Sequence, residues 1–344
     1  MSFTQQESLD FGRRDTIHGV GIFLLDVTVL ITLLGLALTS HAWWLQAFFA
    51  VGAGIVIGIL FVVAHDAAHN SLTPSRGLNH WLGQLAMLPA LHPFSLWVLV
   101  HNQTHHRWTN LSPQDYVWTP LDVAAYRRLR WPQRLTYRFY RSFLGPTLYY
   151  LIEFWWKRMI FPDRREQEKR RSEYVVDRCY VLLFATAYLA MLVWGAPRGW
   201  FGGEARPLWN VLLYGAVIPF ATWNTLMSFV IYLHHTHPQI KWYNDEAIWR
   251  KSDPQLETSV HVVFPGPINR IFHWIMEHNA HHIRPSIPLY RLREAQELLE
   301  TREHERIVVF HWSIRSHLDV VRRCKLFDYQ ARRWCDFEGQ YTSP

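Results

Sequence analysis

The sequence has few cysteines and lacks the paired motifs that build disulfide frameworks. Only Cys179, Cys324 and Cys335 occur among its 344 residues, and no two of them form a Cys-x-x-Cys motif. This pattern argues against a disulfide-stabilised fold and against a thiolate zinc site.

The sequence also lacks nucleic-acid-binding motifs, internal repeats and low-complexity segments, although its formal net charge is +7. Its Arg and Lys residues lie between and after long apolar runs, as in the basic loops beside membrane spans. We therefore expect no nucleic acid partner. The first apolar run is too long for the core of a signal peptide and has no small-residue cleavage site, so it is predicted to be a retained span.

Charge is nearly absent from the longest apolar runs, in which Asp26 is the only charged residue. Hydrophobic residues make up 49% of the chain and aromatic residues 15%, yet the mean hydropathy is close to zero. Apolar blocks must therefore alternate with polar ones. Since roughly 20 apolar residues cross a bilayer, four membrane-spanning helices are predicted, at about 17–38, 43–64, 178–196 and 208–233. A metal transporter would need a polar path through these helices, which the sequence does not offer.

The distribution of basic residues predicts which side each connecting segment faces. Arg13 and Arg14 precede the first span, and the stretch Arg127–Arg178 between the second and third spans is rich in Arg and Lys. The link between the third and fourth spans carries only Arg198 and Arg206. Because positively charged loops stay in the cytosol, the N-terminus and a cap formed by about 65–177 and 234–344 are expected on the cytosolic side.

These predictions describe one all-α domain over residues 1–344, an integral, multi-pass membrane bundle of four helices with a cytosolic helical cap. The apolar segment Trp81–Val100 contains Pro89 and Pro93, which break a regular helix, so it is interpreted as re-entrant or interfacial. The segment Phe143–Phe161 is predicted to lie on the membrane surface as an amphipathic element.

Histidines form the most unusual feature of the chain, because eight of the 20 histidines fall into three tight clusters. Imidazole is the commonest metal-binding side chain near neutral pH. Residues at i and i+4 share one face of an α-helix, so each cluster is predicted to present a pair of imidazoles. The clusters read His65-Asp66-Ala67-Ala68-His69, His101-Asn102-Gln103-Thr104-His105-His106 and His278-Asn279-Ala280-His281-His282.

Two clusters contain adjacent histidines, which point about 100° apart on a helix. The two histidines of a doublet can therefore bind two different metal ions. Eight nitrogen ligands are too many for one ion that keeps a free coordination position. The cap is thus predicted to hold a dimetal site. Imidazole suits Fe, Zn, Cu and Ni alike, so spacing does not identify the metal. A zinc-peptidase pattern would not need three clusters, and haem would need single histidines within the spans.

Polar residues near the clusters are candidates for orienting the imidazole rings. Each is equally explained as a helix cap or a polar loop residue. These candidates are Asp66, Asn110, Asp115 and Asn279.

The three clusters resemble the histidine boxes of the membrane fatty-acid desaturase family. The segment Tyr232–Pro238, with its His-His-Thr-His sequence, is similar to the segment after the fourth span of omega-6-type acyl-lipid desaturases. The sequence Ile287-Pro288-Leu289-Tyr290 after the third cluster also resembles that group. The similarity covers about residues 63–300. The second box departs from the omega-6 pattern, because three residues rather than two separate its first histidine from its histidine doublet.

The resemblance implies a membrane-bound fatty acid desaturase with two non-haem irons, dioxygen as co-substrate and no catalytic residue apart from the metal centre. It also implies an acyl-lipid or fatty acyl substrate. A separate electron donor of the ferredoxin or cytochrome b5 type is implied, since the sequence has no His-Pro-Gly-Gly haem signature. A ninth ligand is expected near the end of the fourth span, with His235 the first choice and His237 the second. The implied box ligands are His65, His69, His101, His105, His106, His278, His281 and His282.

The same superfamily includes hydroxylases and ketolases that act on lipids or carotenoids, and the sequence does not separate these activities from desaturation. For an acyl chain, we expect an apolar tunnel below the metal site, lined by Phe220, Trp223 and Met227, although helix packing explains these residues equally well. The basic stretch from Arg127 to Arg171 is interpreted first as a topological anchor and second as a site for an anionic headgroup or an acidic donor.

Overall fold

The computed structural model describes residues 3–162 and 171–344. Part of the basic stretch Arg127–Arg178, residues 163–170, lies outside the described residues. Helices dominate the described chain and are numbered here in chain order. The α-helices are α1 Gln5–Phe11, α2 Thr16–Thr39, α3 Trp43–Ala68, α4 Arg76–Met87, α5 Phe94–Val98, α6 Val123–Arg128, α7 Trp131–Tyr140, α8 Gly145–Tyr149, α9 Arg171–Gly195, α10 Leu208–Leu212, α11 Ile218–His235, α12 Glu246–Lys251, α13 Pro254–Glu257, α14 Ile268–Ile271, α15 His278–Ile283, α16 Leu292–Glu303 and α17 Ile314–Arg323.

Shorter elements complete the described secondary structure. Three segments wind as π-helices, and two form single 3₁₀ turns. Four short strands form two pairs. The π-helices are Leu99–His105, Tyr150–Ile160 and Leu213–Val217; the 3₁₀ turns are Ala196–Arg198 and Leu289–Arg291; the strands are β1 Val260–Val263, β2 Val308–His311, β3 Leu326–Asp328 and β4 Arg333–Cys335.

Four helical stretches in the described residues are long and apolar enough to cross a membrane, and they coincide with the four predicted spans. They are Thr16–Thr39, Trp43–Ala68, Ser172–Arg198 and Leu208–His235. The predicted fold class, a helical protein with four candidate membrane-spanning helices, is therefore confirmed. The second helix continues four residues beyond the predicted boundary, so His65 lies within α3 and His69 follows it directly.

The fifth apolar segment is broken, as its prolines predict. Helix α4 ends at Met87, and α5 begins only at Phe94. Between them Leu91 adopts a positive φ of 53°, which ends regular helical winding. Within the described residues, this segment is not among the helices long enough to cross a bilayer.

The described chain divides into two compact units, and the first comprises Arg14–Trp97 and Trp155–Met227. Small residues allow its helices to approach closely, as in many membrane bundles. A Cβ atom at Gly54 of α3 would lie 2.5 Å from the carbonyl oxygen of Pro219. Gln46 and Asn210 form a pair of amide hydrogen bonds of 3.1 and 3.0 Å, so two polar side chains in these apolar helices satisfy each other.

The second unit comprises residues 3–13, 98–154 and 228–344. Strands β1 and β2 pair in parallel, with Val260 opposite Val308, and β3 and β4 pair antiparallel. The backbone N–H of Val262 in β1 donates to the carbonyl of Met276 at 3.1 Å. Strand β1 thereby fixes the segment that leads into α15, the helix of the third histidine cluster.

Candidate metal centre

The second histidine cluster lies on a π-helix, and this winding changes which rings meet. In the π-helix Leu99–His105, the N–H of His106 donates to the carbonyl of His101 at 2.9 Å, five residues earlier. The Nε2 atoms of these two histidines lie 3.0 Å apart. The predicted α-helical pairing of His101 with His105 is therefore wrong, because a π-helix aligns residues at i and i+5.

Four buried imidazoles converge in the second unit. The Nε2 atom of His235 lies 3.1 Å from that of His105 and 3.1 Å from that of His278. The Nε2 atoms of His278 and His282 are 3.0 Å apart. We call this group the four-histidine cluster: His105, His235, His278 and His282.

The outer nitrogens of three of these rings face hydrogen-bond acceptors. The Nδ1 atom of His105 lies 3.0 Å from a carboxylate oxygen of Asp115. The Nδ1 atom of His235 lies 3.0 Å from the carbonyl oxygen of Thr258. The Nδ1 atom of His282 lies 3.0 Å from Oε1 of Gln255, whose amide nitrogen donates to the carbonyl of His106. These acceptors place the proton on Nδ1 and leave the lone pair on Nε2.

Lone pairs that face one another across about 3 Å repel unless a cation lies between them. Burial lowers the pKa of His278 and of His282 well below the ordinary value, so these rings stay neutral, the form that ligates metals. Two nitrogens, each about 2.1 Å from one ion, lie about 3.0 Å apart when the bonds are perpendicular. The residues present therefore fit a metal ion.

Three further imidazoles form a second group in the same unit. The Nε2 atom of His106 lies 3.0 Å from that of His101 and 3.0 Å from that of His281. We call His101, His106 and His281 the three-histidine cluster. Each doublet is divided between the clusters, with His105 and His282 in one and His106 and His281 in the other. The predicted divergence of adjacent rings accounts for this division.

The first histidine cluster lies in the other unit, at the end of α3. The rings of His65 and His69 have centroids 4.9 Å apart, and their ligand nitrogens lie within 4.8 Å of each other. The ring of His65 also contacts Trp97, with centroids 5.6 Å apart. Asp66, a predicted orienting residue, has a carboxylate oxygen 3.5 Å from Nδ1 of His65.

Of the two candidates near the fourth span, the structure places His235 in the four-histidine cluster and His237 outside both clusters. The Nδ1 atom of His237 accepts the backbone N–H of Gln239 at 3.2 Å, and its ring faces Phe310. His234 stacks on the ring of His278, with centroids 3.7 Å apart. It thus packs against a cluster ring.

The hydrogen bonds of the two remaining predicted orienting residues, Asn110 and Asn279, go to groups other than the imidazole rings. The backbone N–H of Asn110 donates to Asp115 at 3.0 Å, which steadies the carboxylate beside His105. The side chain of Asn279 donates to the carbonyls of Leu256 and Ser259 and contacts the chain near α13. Sequence reasoning missed Gln255 and Thr258, since neither lies near a histidine cluster along the chain.

The predicted tunnel residues lie in the first unit. Trp223 is fully buried, and its ring contacts Phe61, His92 and Phe220. Met227 is half-buried. These contacts are those of a packed aromatic core, and the lining role stays a prediction.

Comparison with known proteins agrees with this geometry. The Fatty acid desaturase family model matches residues 42–313. The chain is 28% identical over 319 residues to the sn-1 acyl-lipid omega-3 desaturase (ferredoxin) of Synechocystis sp., covering 87% of this chain and 81% of that protein. It is 29% identical to the sn-1 oleoyl-lipid 12-desaturase of the same organism, covering 83% and 77%. It is 26% identical to the chloroplastic omega-6 fatty acid desaturase of Glycine max, covering 88% and 68%.

The family match includes all three histidine clusters and extends over most of the chain. The four apolar helices suit an enzyme of the membrane, and the buried imidazoles suit a metal. This chain therefore belongs to the fatty acid desaturase family and is a membrane fatty acid desaturase, an oxidoreductase.

Proposed function

We propose that this enzyme is an oxygen-dependent di-iron desaturase that introduces a double bond into the acyl chain of a membrane lipid. The observation that carries this proposal is the convergence of the Nε2 atoms of His105, His235, His278 and His282 at 3.0–3.1 Å spacings. Their outer nitrogens face fixed acceptors in three cases. Such rings are prepared to bind a metal rather than to bond to one another.

We assign one iron to the four-histidine cluster and the other to the three-histidine cluster together with His65 and His69. The match to the family, which includes all three histidine clusters, supports the inclusion of His65 and His69. The two additional imidazoles would raise that ligand set to five. No residue apart from the ligands and their hydrogen-bond partners is proposed to take part in the chemistry.

When bound, iron with dioxygen supplies an oxidant strong enough to break an unactivated C–H bond, which side chains alone do not provide. Reduction of dioxygen to two waters takes four electrons. Removing two hydrogens from adjacent methylenes provides two of them, and an external donor provides the other two. Burial keeps the rings of His278 and His282 neutral. Asp115, Thr258 and Gln255 hold the Nδ1 protons in place, so the rings do not turn during turnover.

The substrate and the donor are proposed by analogy with the relatives. Their names specify acyl or oleoyl lipids, and one names ferredoxin. We therefore propose an acyl lipid as substrate and a ferredoxin as the one-electron donor. The acyl chain is proposed to pass along Phe220, Trp223 and Met227, whose apolar surfaces exclude water from the reacting carbons. We propose that the active site faces the cytosol, since Arg and Lys concentrate in the segments expected there.

Lipid analysis of cells that express the enzyme tests this function. The wild-type protein should convert saturated or monounsaturated acyl chains into species that lack two further hydrogens. His282→Ala should abolish this product while the protein remains in the membrane, because it removes one imidazole of the four-histidine cluster. His304→Ala is the control, since His304 is exposed and, among the described residues, pairs with its neighbour Glu305. Products that gain an oxygen atom would identify a hydroxylase instead.

A further inference from the structure

Arg141 follows helix α7 and is buried, with only 3% of its surface exposed. One terminal nitrogen, Nη2, donates to the carbonyl of Trp118 at 2.8 Å. The other, Nη1, is buried and has no hydrogen-bond partner among the described residues. Its guanidinium carbon lies 5.1 Å from the ring centroid of Trp118 and 5.4 Å from that of Tyr137.

Within the described residues, no carboxylate forms an ion pair with this guanidinium. A buried charge that is left unpaired destabilises the folded protein. Cation–π attraction to the facing rings offsets only part of this cost. A guanidinium with an unpaired Nη1 in a low-dielectric site is suited to bind an oxyanion.

A second cation and a second unused donor lie beside Arg141. The ammonium of Lys325 is half-buried and donates to the backbone carbonyl of Arg141 at 2.6 Å. Burial, and then the charge of Arg141, lower the pKa of Lys325 to about 8. The indole nitrogen of Trp118, also buried, has no acceptor among the described residues.

A surface pocket of about 420 Å³ lies on the side of Phe337 that is near Lys325. The ring of Phe337 in its wall lies 5.6 Å from the ammonium of Lys325. Three arginines line the pocket, and Glu338 is the one nearby carboxylate that pairs with them in the described structure, 3.8 Å from Arg138. The pocket is therefore electropositive, and the Phe337 ring in its wall contacts Lys325. Its lining residues are Tyr126, Arg127, Trp131, Arg134, Leu135, Arg138 and Phe337.

We propose that Arg141, with Lys325 and Trp118, forms a binding site for an oxyanion of the phosphate or sulfonate type. The unpaired Nη1 of Arg141 donates to the anion, the ammonium of Lys325 neutralises its charge, and the indole N–H of Trp118 donates a further hydrogen bond. An anionic lipid headgroup and a free inorganic anion both present this chemistry. The site is separate from the histidine clusters and does not depend on metal binding.

Thermal unfolding of the full-length protein in three media tests this site. The media are micelles of a maltoside detergent, which carries no phosphate, the same micelles with inorganic phosphate added, and the same micelles with phosphatidylglycerol added. The wild-type unfolding midpoint should rise by a few degrees in a medium that supplies the ligand. Arg141→Met should remove this rise. In the maltoside micelles alone, its midpoint should equal or exceed that of the wild type, because the variant no longer buries an unpaired charge.

The control is Arg315→Met, which removes the same charge from an exposed position on α17. It should respond to each medium as the wild type does. A rise with phosphatidylglycerol alone identifies a lipid headgroup, and a rise with phosphate identifies a free anion. If Arg141→Met does not fold, Lys325→Met replaces it and should reduce the rise. Equal midpoint shifts in the wild type and the folded variant, or no wild-type shift in either anionic medium, would overturn the proposal.

Discussion

The Nδ1 atom of His105 lies 3.0 Å from Asp115, and this contact decides which nitrogen of the ring carries the proton. With the proton on Nδ1, the Nε2 lone pair faces His235. Thr258 and Gln255 act in the same way on His235 and His282. The residues that prepare the ligands are therefore as specific to the site as the ligands themselves.

Asp115→Asn should weaken metal binding about 10–100-fold. The amide keeps an acceptor for the backbone N–H of Asn110, but it loses the charge that favours the Nδ1 proton on His105. The iron content after mild chelation, measured on the purified variant, reports this change. Asp122→Asn is the control, since Asp122 caps α6 through the N–H of Ala125 and contacts no cluster ring. Equal retention of iron by the two variants would contradict the assigned role of Asp115.

The histidine clusters were visible in the sequence, but the arrangement of their rings was not. The boxes and the segment after the fourth span pointed to the imidazoles that the structure gathers, and His235 rather than His237 lies among them. Gln255 and Thr258 carried no such pattern. Their contacts with His282 and His235 arise only when α13 packs beside α15, and this depends on the tertiary fold.

At the scale of elements, the π-helix Leu99–His105 matters most. An α-helix would align His101 with His105, whereas the observed winding aligns His101 with His106. The spacing of apolar residues does not reveal the wider turn of a π-helix. The sequence therefore predicted the pair His101 and His105 instead of His101 and His106. The break between α4 and α5 was predictable, because Pro89 and Pro93 act locally.

A second element-scale feature is the ionic contact that joins β1, α16 and the residue before α15. His261 of β1 contacts the carboxylate of Glu300 and lies 3.7 Å from that of Glu277. Burial alone would lower the pKa of His261, but the two carboxylates outweigh burial and raise it from 6.5 to about 9. The protonated ring thus stabilises the segment that leads into His278.

His261→Gln should therefore lower the thermal unfolding midpoint most at about pH 6.5 and below. The folded pKa lies above the unfolded one, so the stabilising contribution is fully present below about 6.5 and is lost as the pH rises through about 9. Unfolding midpoints of the wild type and the variant should converge across this range. His304→Gln, at an exposed position, should show no such convergence. A constant difference between wild type and His261→Gln at every pH would argue against the ionic contact.

At the scale of the whole molecule, composition and hydropathy predicted the four long helices because a bilayer fixes the length of an apolar helix. The predicted end of the second span came too early. His65 and Asp66 are polar, yet α3 continues through them. A hydropathy profile does not distinguish polar residues at the end of a helix from a loop. The pairing of β1 with β2 was also not foreseen, because these strands are only four residues long.

The proposed orientation gives a whole-molecule prediction. In a cysteine-free background, a cysteine at Glu204, between the third and fourth long helices, should react with an impermeant thiol reagent added outside the cell. A cysteine at Thr301, in α16, should react only after the membrane is opened. Both positions are exposed in the structure. The reverse labelling pattern would place the proposed active site on the outer face.

The central claim is that the gathered imidazoles bind two irons, and the iron content of the purified protein tests it most directly. Elemental analysis of the wild-type enzyme should give about two irons per chain. His282→Ala should lose at least one of them, and His304→Ala should match the wild type. A wild-type protein that desaturates lipid but contains no iron, or that keeps its full iron content after His282→Ala, would contradict the account.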